Sequence, residues 1–411
     1  MSGAVSPPGG RLVVVGHGMA AARTLEELWT LAPGRFHTTV LGSEPQVGYN
    51  RVLLSALLSG EVKPETLPLL APDWYAARGI AVHGDDPVVR IDRSRREVHT
   101  ARGRVLPYDR LLIATGSTPV KPPLEGMDLP GVRVFRTLAD TEALMAASRQ
   151  FRRAVVIGGG LLGVEAAEGL RRRGMAVTLV HRAPVLLNQQ LDAAAGALLA
   201  DTLRSRGLQL RLSAETEALL GASRVEAVRL ASGEVLAADL VVVSIGVRPE
   251  IGLAQAAGLH CQRGIVVDDT LQTFDPRIYA VGECVEHRGA TFGLVAPVWA
   301  QASVCASHLA GEGHRRFEPT QSATRLKVSG IEVYSAGDFA GGDGHEELLL
   351  KASRRGVYRR LILRDRRITG AVFFGDTRDS SWFFDQMATG RDVSGLRERL
   401  LFGPAWCEAG G

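Results

Sequence analysis

The chain has 411 residues, 45% hydrophobic and 22% charged, with 47 glycines; this is a folded globular composition that excludes a disordered chain or a coiled coil. Lys+Arg exceed Asp+Glu by only 48 − 44 = +4, and Lys63, Lys121, Lys327 and Lys351 are the only lysines, so no electrostatic case for a nucleic-acid partner arises. No apolar run reaches the roughly 18–20 residues of a membrane span, Met1 to Gly10 carry no signal-peptide pattern, and four cysteines exclude a disulfide scaffold, so a cytoplasmic protein without membrane association is expected.

In chain order, Arg11–Val15 (RLVVV) predicts a buried strand that runs into Gly16-His17-Gly18-Met19-Ala20-Ala21. A helix with Leu25 and Leu28 on its apolar face follows, then a strand at Thr38–Leu41. Leu111–Ala114 is a further buried strand, ending in Thr115-Gly116. The opening pattern then returns: strand Ala154–Ile157, Gly158-Gly159-Gly160-Leu161-Leu162-Gly163, a helix to Arg173, and strand Ala176–Val180. Leu240–Ser244 ends in Gly246, and Ile278–Val281 ends in Gly282-Glu283. From about Glu318 the pattern changes to strand-like Leu361–Leu363 and Gly370–Phe374 with a helical Ser380–Met387.

The glycines have a chemical rationale. A pyrophosphate can rest on a helix N-terminus only where the backbone comes close and free N–H groups point outward, which Gly16 and Gly18, and again Gly158 and Gly160, would permit. A small residue must follow for helix–strand packing, and Ala21 and Gly163 supply it. Two copies between strand and helix imply two dinucleotide-binding halves. Each second strand should close on a group that reads the adenosine ribose. Glu44 is the candidate in the first half; the second closes on His181-Arg182, where a guanidinium could pair with a 2′-phosphate and so favour NADPH. Protonation of His181 would strengthen that preference as pH falls towards about 6.5. His17 is read as a solvent-facing loop residue.

The ordered set GHGMAA, Tyr49-Asn50-Arg51, Ala114-Thr115-Gly116, GGGLLGVEAA, Gly246-Val247-Arg248-Pro249 and Tyr279-Ala280-Val281-Gly282-Glu283-Cys284 resembles the two-dinucleotide-fold flavoprotein reductases. Gly48 to Val52, Phe292 to Pro297 and Gly375 to Asp379 are similar, within that family, to the N-terminal FAD and NAD(P)H region of the assimilatory nitrite reductase large subunit. The resemblance implies FAD in the first fold, held by Gly16, Gly18 and Ala21 at the pyrophosphate, with Glu44 near the adenosine. Arg51, Val88, Thr115, Gly116 and Arg136 would line the rest of the cleft. Glu283, after Gly282, would hold the ribityl chain, and a helix starting at Pro297, with Val298, would aim its positive end at the flavin. NADPH or NADH would occupy the second fold through Gly158, Gly160, Gly163, Glu165, His181 and Arg182, with Glu165 beside the nicotinamide, and Gly246 is a further cofactor-binding candidate. Ser43 stands where relatives often carry a ribose carboxylate, and Ala56 where several have lysine.

The expected fold is α/β: two interleaved doubly wound, Rossmann-like domains and a small C-terminal α+β domain. Its segments would be 1–120 and 245–317 for FAD, 121–244 for NAD(P)H, and 318–411 for the C-terminal interface. The cysteines begin only at Cys261 and form no CxxC or CxxxxC, so neither disulfide exchange nor iron–sulfur ligation is expected, and no metal site is assigned. The resemblance implies hydride entry and electron exit to a redox partner carrying an iron–sulfur or other metal centre, in a nitrite or nitrate reductase system. A rubredoxin or ferredoxin reductase and a non-catalytic nucleotide-binding subunit are the alternatives. Trp382-Phe383-Phe384 is expected to divide between core and surface, with partner docking as its other reading.

Overall fold

The computed structural model describes residues 9–319, 323–328, 330–352 and 356–408. The chain forms two compact units, Met1–Leu53 with Lys63–Thr118 and Val247–Thr320, and Leu54–Val62 with Pro119–Gly246 and Gln321–Gly411.

The first unit is organised by Arg11–Val15, whose Leu12, Val13, Val14 and Val15 are all buried, as a strand covered on both faces must be. It is the middle strand of a five-stranded parallel sheet ordered Ile278–Ala280, Arg110–Ile113, Arg11–Val15, His37–Leu41, Ala81–His83. The crossover helix Met19–Leu31 turns Ala20, Ala21, Ala22, Leu25 and Leu28 inward, a stripe at helical spacing. The helix Val295–Ala310 packs against it. That helix begins at Val295, so Pro297 lies in its first turn and not at its first residue. Proline is tolerated there because the first N–H groups have no acceptor within a helix.

The second unit repeats the plan. Its parallel sheet is ordered Gln209–Leu212, Ala176–His181, Arg153–Ile157, Leu240–Val243, Val132–Val134, with Leu161–Arg172 as the crossover helix. The registers agree as well. Val15 lies opposite Leu41 and Ile113, and Ile157 lies opposite Val180 and Val243, so each glycine turn leaves its central strand level with the ends of both neighbours.

Within the same unit an antiparallel sheet runs in the order Ala323–Val328, Ile331–Gly337, Arg367–Phe374, Val357–Arg364, Glu346–Ala352. The helix Ser380–Ala388 covers it, with Phe383 buried edge-on against Phe373 at 5.0 Å and Trp382 edge-on against Phe383 at 5.0 Å. The aromatic triplet is therefore anchoring material for this sheet, with Trp382 and Phe384 partly buried against the same core. Asp192 ties the sheet to the dinucleotide fold: one carboxylate oxygen caps the helix Ala193–Ser205, and the other accepts from Tyr358 Oη at 2.6 Å and Arg360 at 3.2 Å. Among the described residues no helix is long and apolar enough to cross a membrane.

Candidate functional site: two glycine turns built on one plan

The first glycine of each turn is demanded by the protein itself. Gly16 N–H donates to Leu41 C=O at 2.8 Å, φ is +101°, and a Cβ would stand 2.2 Å from the Ala114 carbonyl oxygen. Gly158 N–H donates to Val180 C=O at 2.8 Å, φ is +117°, and a Cβ would stand 2.1 Å from the Ser244 carbonyl oxygen. Any side chain there would push two strands apart.

The second glycine is different. Gly18 and Gly160 have φ of −95° and −79°, which any residue adopts, and a Cβ on either would meet no protein atom within 4 Å. Both sit at helix N-caps without a side-chain hydrogen bond, and neither helix has an acidic residue in its first turn. Bare N–H groups facing space that the protein leaves open are what a pyrophosphate requires, so these residues fit the dinucleotides that the sequence implies. The third position separates the turns. A Cβ on Gly163 would lie 1.9 Å from the Gly158 carbonyl oxygen, whereas the first turn accommodates the buried methyl of Ala21.

The residue between the glycines faces the end of the second strand, and the two halves exchange residue types there. The first has His17 in the turn and Gly42 after the strand; the second has Gly159 in the turn and His181 at the strand end. A Cβ on Gly42 would lie 3.3 Å from the His17 Cβ, and one on Gly159 would lie 2.7 Å from the His181 ring. The His181 ring thus occupies room that Gly159 vacates, while opposite Gly42 it is the Cβ of His17 that stands close. His17 is not solvent-facing as expected: it is half-buried, edge-on to Tyr75 and bonded to its hydroxyl at 2.9 Å, and burial lowers its pKa to about 4. His181 also departs from expectation. Its Nδ1 accepts from Gly159 N–H at 3.1 Å, which requires that nitrogen unprotonated, and burial, with the adjacent Arg182, holds the ring below its ordinary pKa. His181 therefore adds no phosphate preference that grows as pH falls towards 6.5. Arg182 is exposed and makes no hydrogen bond or ion pair among the described residues.

In the first unit Glu44 accepts from Tyr49 Oη at 2.7 Å and pairs with Arg51, whose guanidinium lies over the Tyr49 ring. The Tyr49-Asn50-Arg51 motif thereby orients the Glu44 carboxylate, a role its sequence spacing did not reveal. Thr115 Oγ1 donates to Glu250 C=O at 2.8 Å, Gly116 takes a φ of +72° with open space beside it, and Glu283 accepts from Ser117 Oγ at 2.8 Å. Val88 opens the strand Val88–Asp92, and Val298 is buried in the core of this unit.

Arg136 belongs to the second unit, where its backbone N–H donates to Asp140 at the start of the helix Leu138–Gln150. Gly246, also there, has φ of +125° and open space beside it. Glu165 is half-buried on the second crossover helix. Burial raises its pKa from the ordinary 4.5 to about 7, and a hydrogen bond from Ser55 opposes the rise. Cys284 and Cys305 are fully buried, and burial raises both thiols and that of Cys261 above the ordinary range, which makes them poor nucleophiles. Among the described residues no three His, Cys, Asp or Glu side chains group as a metal site.

Two glycine turns of this plan on two parallel sheets define a reductase with two dinucleotide folds. Residues 10–324 match the pyridine nucleotide-disulphide oxidoreductase family, and the chain belongs to it; residues 323–391 match the rubredoxin NAD+ reductase C-terminal domain. It is an oxidoreductase whose cofactors are FAD and NAD(P)H. The chain is 42% identical to a nitrite reductase [NAD(P)H] of Bacillus subtilis over 97% of its length and 50% of that protein. It is 40% identical to an assimilatory nitrate reductase electron transfer subunit of the same organism, over 95% of its length and 51% of that protein. It thus spans about half the length of these curated relatives. Among solved structures, the covalent putidaredoxin reductase–putidaredoxin complex superposes with a TM-score of 0.82 at 28% identity, covering 93% of this chain and 94% of that one.

Two outcomes follow from the geometry. Gly160→Val should leave the fold intact yet weaken nicotinamide-nucleotide binding at least about tenfold, because its side chain enters space meant for phosphate. Gly163→Ala should instead lower unfolding stability by about 1–3 kcal/mol through overpacking. Titration of nucleotide binding alongside denaturant unfolding separates the two, and equal behaviour of both variants contradicts the assignment. For Glu165, the raised native pKa means that ionisation opposes folding, so its contribution to stability falls as pH rises from about 4.5 to about 7 and stays low above. Glu165→Gln should therefore gain on the wild type between pH 5 and pH 8; a pH-independent difference in denaturation midpoints would refute it.

Proposed function

We propose that this chain takes electrons from NAD(P)H through FAD and delivers them to a separate redox protein bearing an iron–sulfur or other metal centre. In this reading it is the flavoprotein component of a nitrite or nitrate reductase system acting in the cytoplasm. The observation that carries the reading is the pair of glycine turns, in each of which a Cβ on the second glycine would meet no protein atom within 4 Å. The relatives that match nearly the whole chain support the choice of system. A bound FAD supplies hydride acceptance and stepwise electron release.

The chain's own residues have binding and orienting tasks. Gly16, Gly18 and Ala21 receive the FAD pyrophosphate on the helix Met19–Leu31. Glu44, oriented by Tyr49 and Arg51, offers its carboxylate to the adenosine ribose, while Thr115, Gly116 and Glu283 shape the cleft further along. Gly158, Gly160 and Gly163 do the same for the nicotinamide nucleotide, and Glu165, whose pKa burial raises to about 7, adds a carboxyl on the second crossover helix. Neutral His181 fastens the Gly159 turn, and Arg182 is left to meet a 2′-phosphate. The match of residues 323–391 to the rubredoxin NAD+ reductase C-terminal domain favours a second reading, in which the acceptor is a rubredoxin or a ferredoxin.

Purified chain loaded with FAD should oxidise NAD(P)H with ferricyanide and leave nitrite unchanged. Nitrite consumption by the metal-free protein, or a flavin that NAD(P)H fails to bleach anaerobically, would contradict the reading. Comparing turnover with rubredoxin, ferredoxin and a sirohaem nitrite-reductase module decides the acceptor. NADPH should equal or exceed NADH. A charge-assisted bond from Arg182 is worth about 1.5–3 kcal/mol, trimmed by solvent screening, against about 1.4 kcal/mol per tenfold. Arg182→Glu should lower the NADPH/NADH ratio of kcat/KM, with little dependence of that ratio on pH between 6 and 8. A wild type tenfold better with NADH, or a ratio unmoved by the variant, overturns this.

A further inference from the structure

The turn that presents Glu283 is held by a side chain outside every sequence motif. Gly282 is buried with φ of +93°, and a Cβ there would stand 2.9 Å from the Ala20 methyl, against the helix that follows the first glycine turn. Its N–H donates to Gln301 Oε1 at 2.7 Å. Gln301 is fully buried on the helix Val295–Ala310, which packs on Met19–Leu31. The donor decides the amide's orientation, because only its oxygen can accept from an N–H. One residue on, Glu283 accepts from Ser117 Oγ at 2.8 Å. The turn is thus pinned twice, through the Gly282 backbone and through the Glu283 carboxylate.

The flanks have their own anchors: Val281 N–H donates to Ile113 C=O at 3.0 Å, and Val285 N–H to Gly282 C=O at 3.2 Å. Losing the Gln301 bond would therefore remove one anchor of the turn and leave the sheet in place. A buried N–H without a partner is costly, so the turn would relax towards water. A ligand that needs the original turn would then bind only the fraction of molecules retaining it, and its apparent affinity would fall by that fraction.

We propose that Gln301 is a positioning residue for the cofactor cleft: by holding Gly282 it sets the Glu283 carboxylate where the FAD ribityl chain is received. This rests on the reading that Glu283 faces FAD. A neutral amide accepts one hydrogen bond at full burial without adding charge, and its Nε2 finds no partner among the described residues.

The test uses full-length apoprotein reconstituted with FAD. Flavin fluorescence gives the FAD dissociation constant, visible circular dichroism reports the bound flavin, and ferricyanide turnover gives kcat. Gln301→Met keeps the volume and removes the acceptor; it should weaken FAD about tenfold, alter the visible dichroism and leave kcat at saturating FAD within about threefold. Ser117→Ala loosens the same carboxylate, so the double variant should lose at least about threefold less than the product of the single losses. Gln301→Glu retains a carbonyl acceptor when its buried carboxyl is neutral, and should hold FAD within about threefold of wild type at pH 6. This variant keeps the question open to test should Gln301→Met fail to fold.

A wild-type affinity in Gln301→Met, single losses that multiply, a fall in kcat at saturating FAD without change in affinity, or a Gln301→Glu as weak as Gln301→Met would each overturn the proposal. A wild-type chain that binds no FAD would instead remove the reading on which it rests.

Discussion

The close approach of backbone to backbone at the end of each central strand is the constraint on which this protein turns. Gly16 lies against the Ala114 carbonyl and Gly158 against the Ser244 carbonyl, so near that a single methyl would collide. That contact lets the chain reverse from strand into helix at once, which places a helix N-terminus level with the ends of the neighbouring strands. The free N–H groups of the helix and the open space beside Gly18 and Gly160 are consequences of that geometry. Matching registers in the two sheets give two equivalently placed turns.

Equivalence stops at the middle of each turn. In one half the imidazole comes from the turn and in the other from the second strand, with a glycine opposite it each time. The exchange changes which segment supplies the histidine. Its chemical effect differs between halves. His17 is committed to Tyr75, whereas His181 closes on the Gly159 N–H and leaves Arg182 as the exposed group at the strand end. Both rings are held below their ordinary pKa by burial, so neither brings charge to its turn at neutral pH.

The same economy of charge runs through the rest of the chain. The buried thiols of Cys284 and Cys305 are raised out of the reactive range. Binding, orientation and the electrostatics of a few carboxylates are what the protein contributes beside its cofactors. The C-terminal sheet uses Phe373 and Phe383 for its own core and is tied to the dinucleotide fold of its unit through Asp192, Tyr358 and Arg360.

What could be read from the linear chain was whatever depends on local pattern. RLVVV and AVVI announce buried parallel strands by their unbroken β-branched runs, and the glycine spacing announces the turns because only glycine tolerates such backbone proximity. Glu44 could be singled out as a candidate because it stands just beyond a strand. Side chains acting across the fold could not. Gln301 lies nineteen residues from the N–H it accepts, Arg51 reaches Glu44 around Tyr49, and Ser55 reaches Glu165 from a distant helix. His17 looked exposed because the sequence does not show that Gly42 leaves it room or that Tyr75 waits there. Periodicity and composition report which residues are buried; partners, orientations and proton affinities depend on which distant segments packing brings together, and only the tertiary structure decides that.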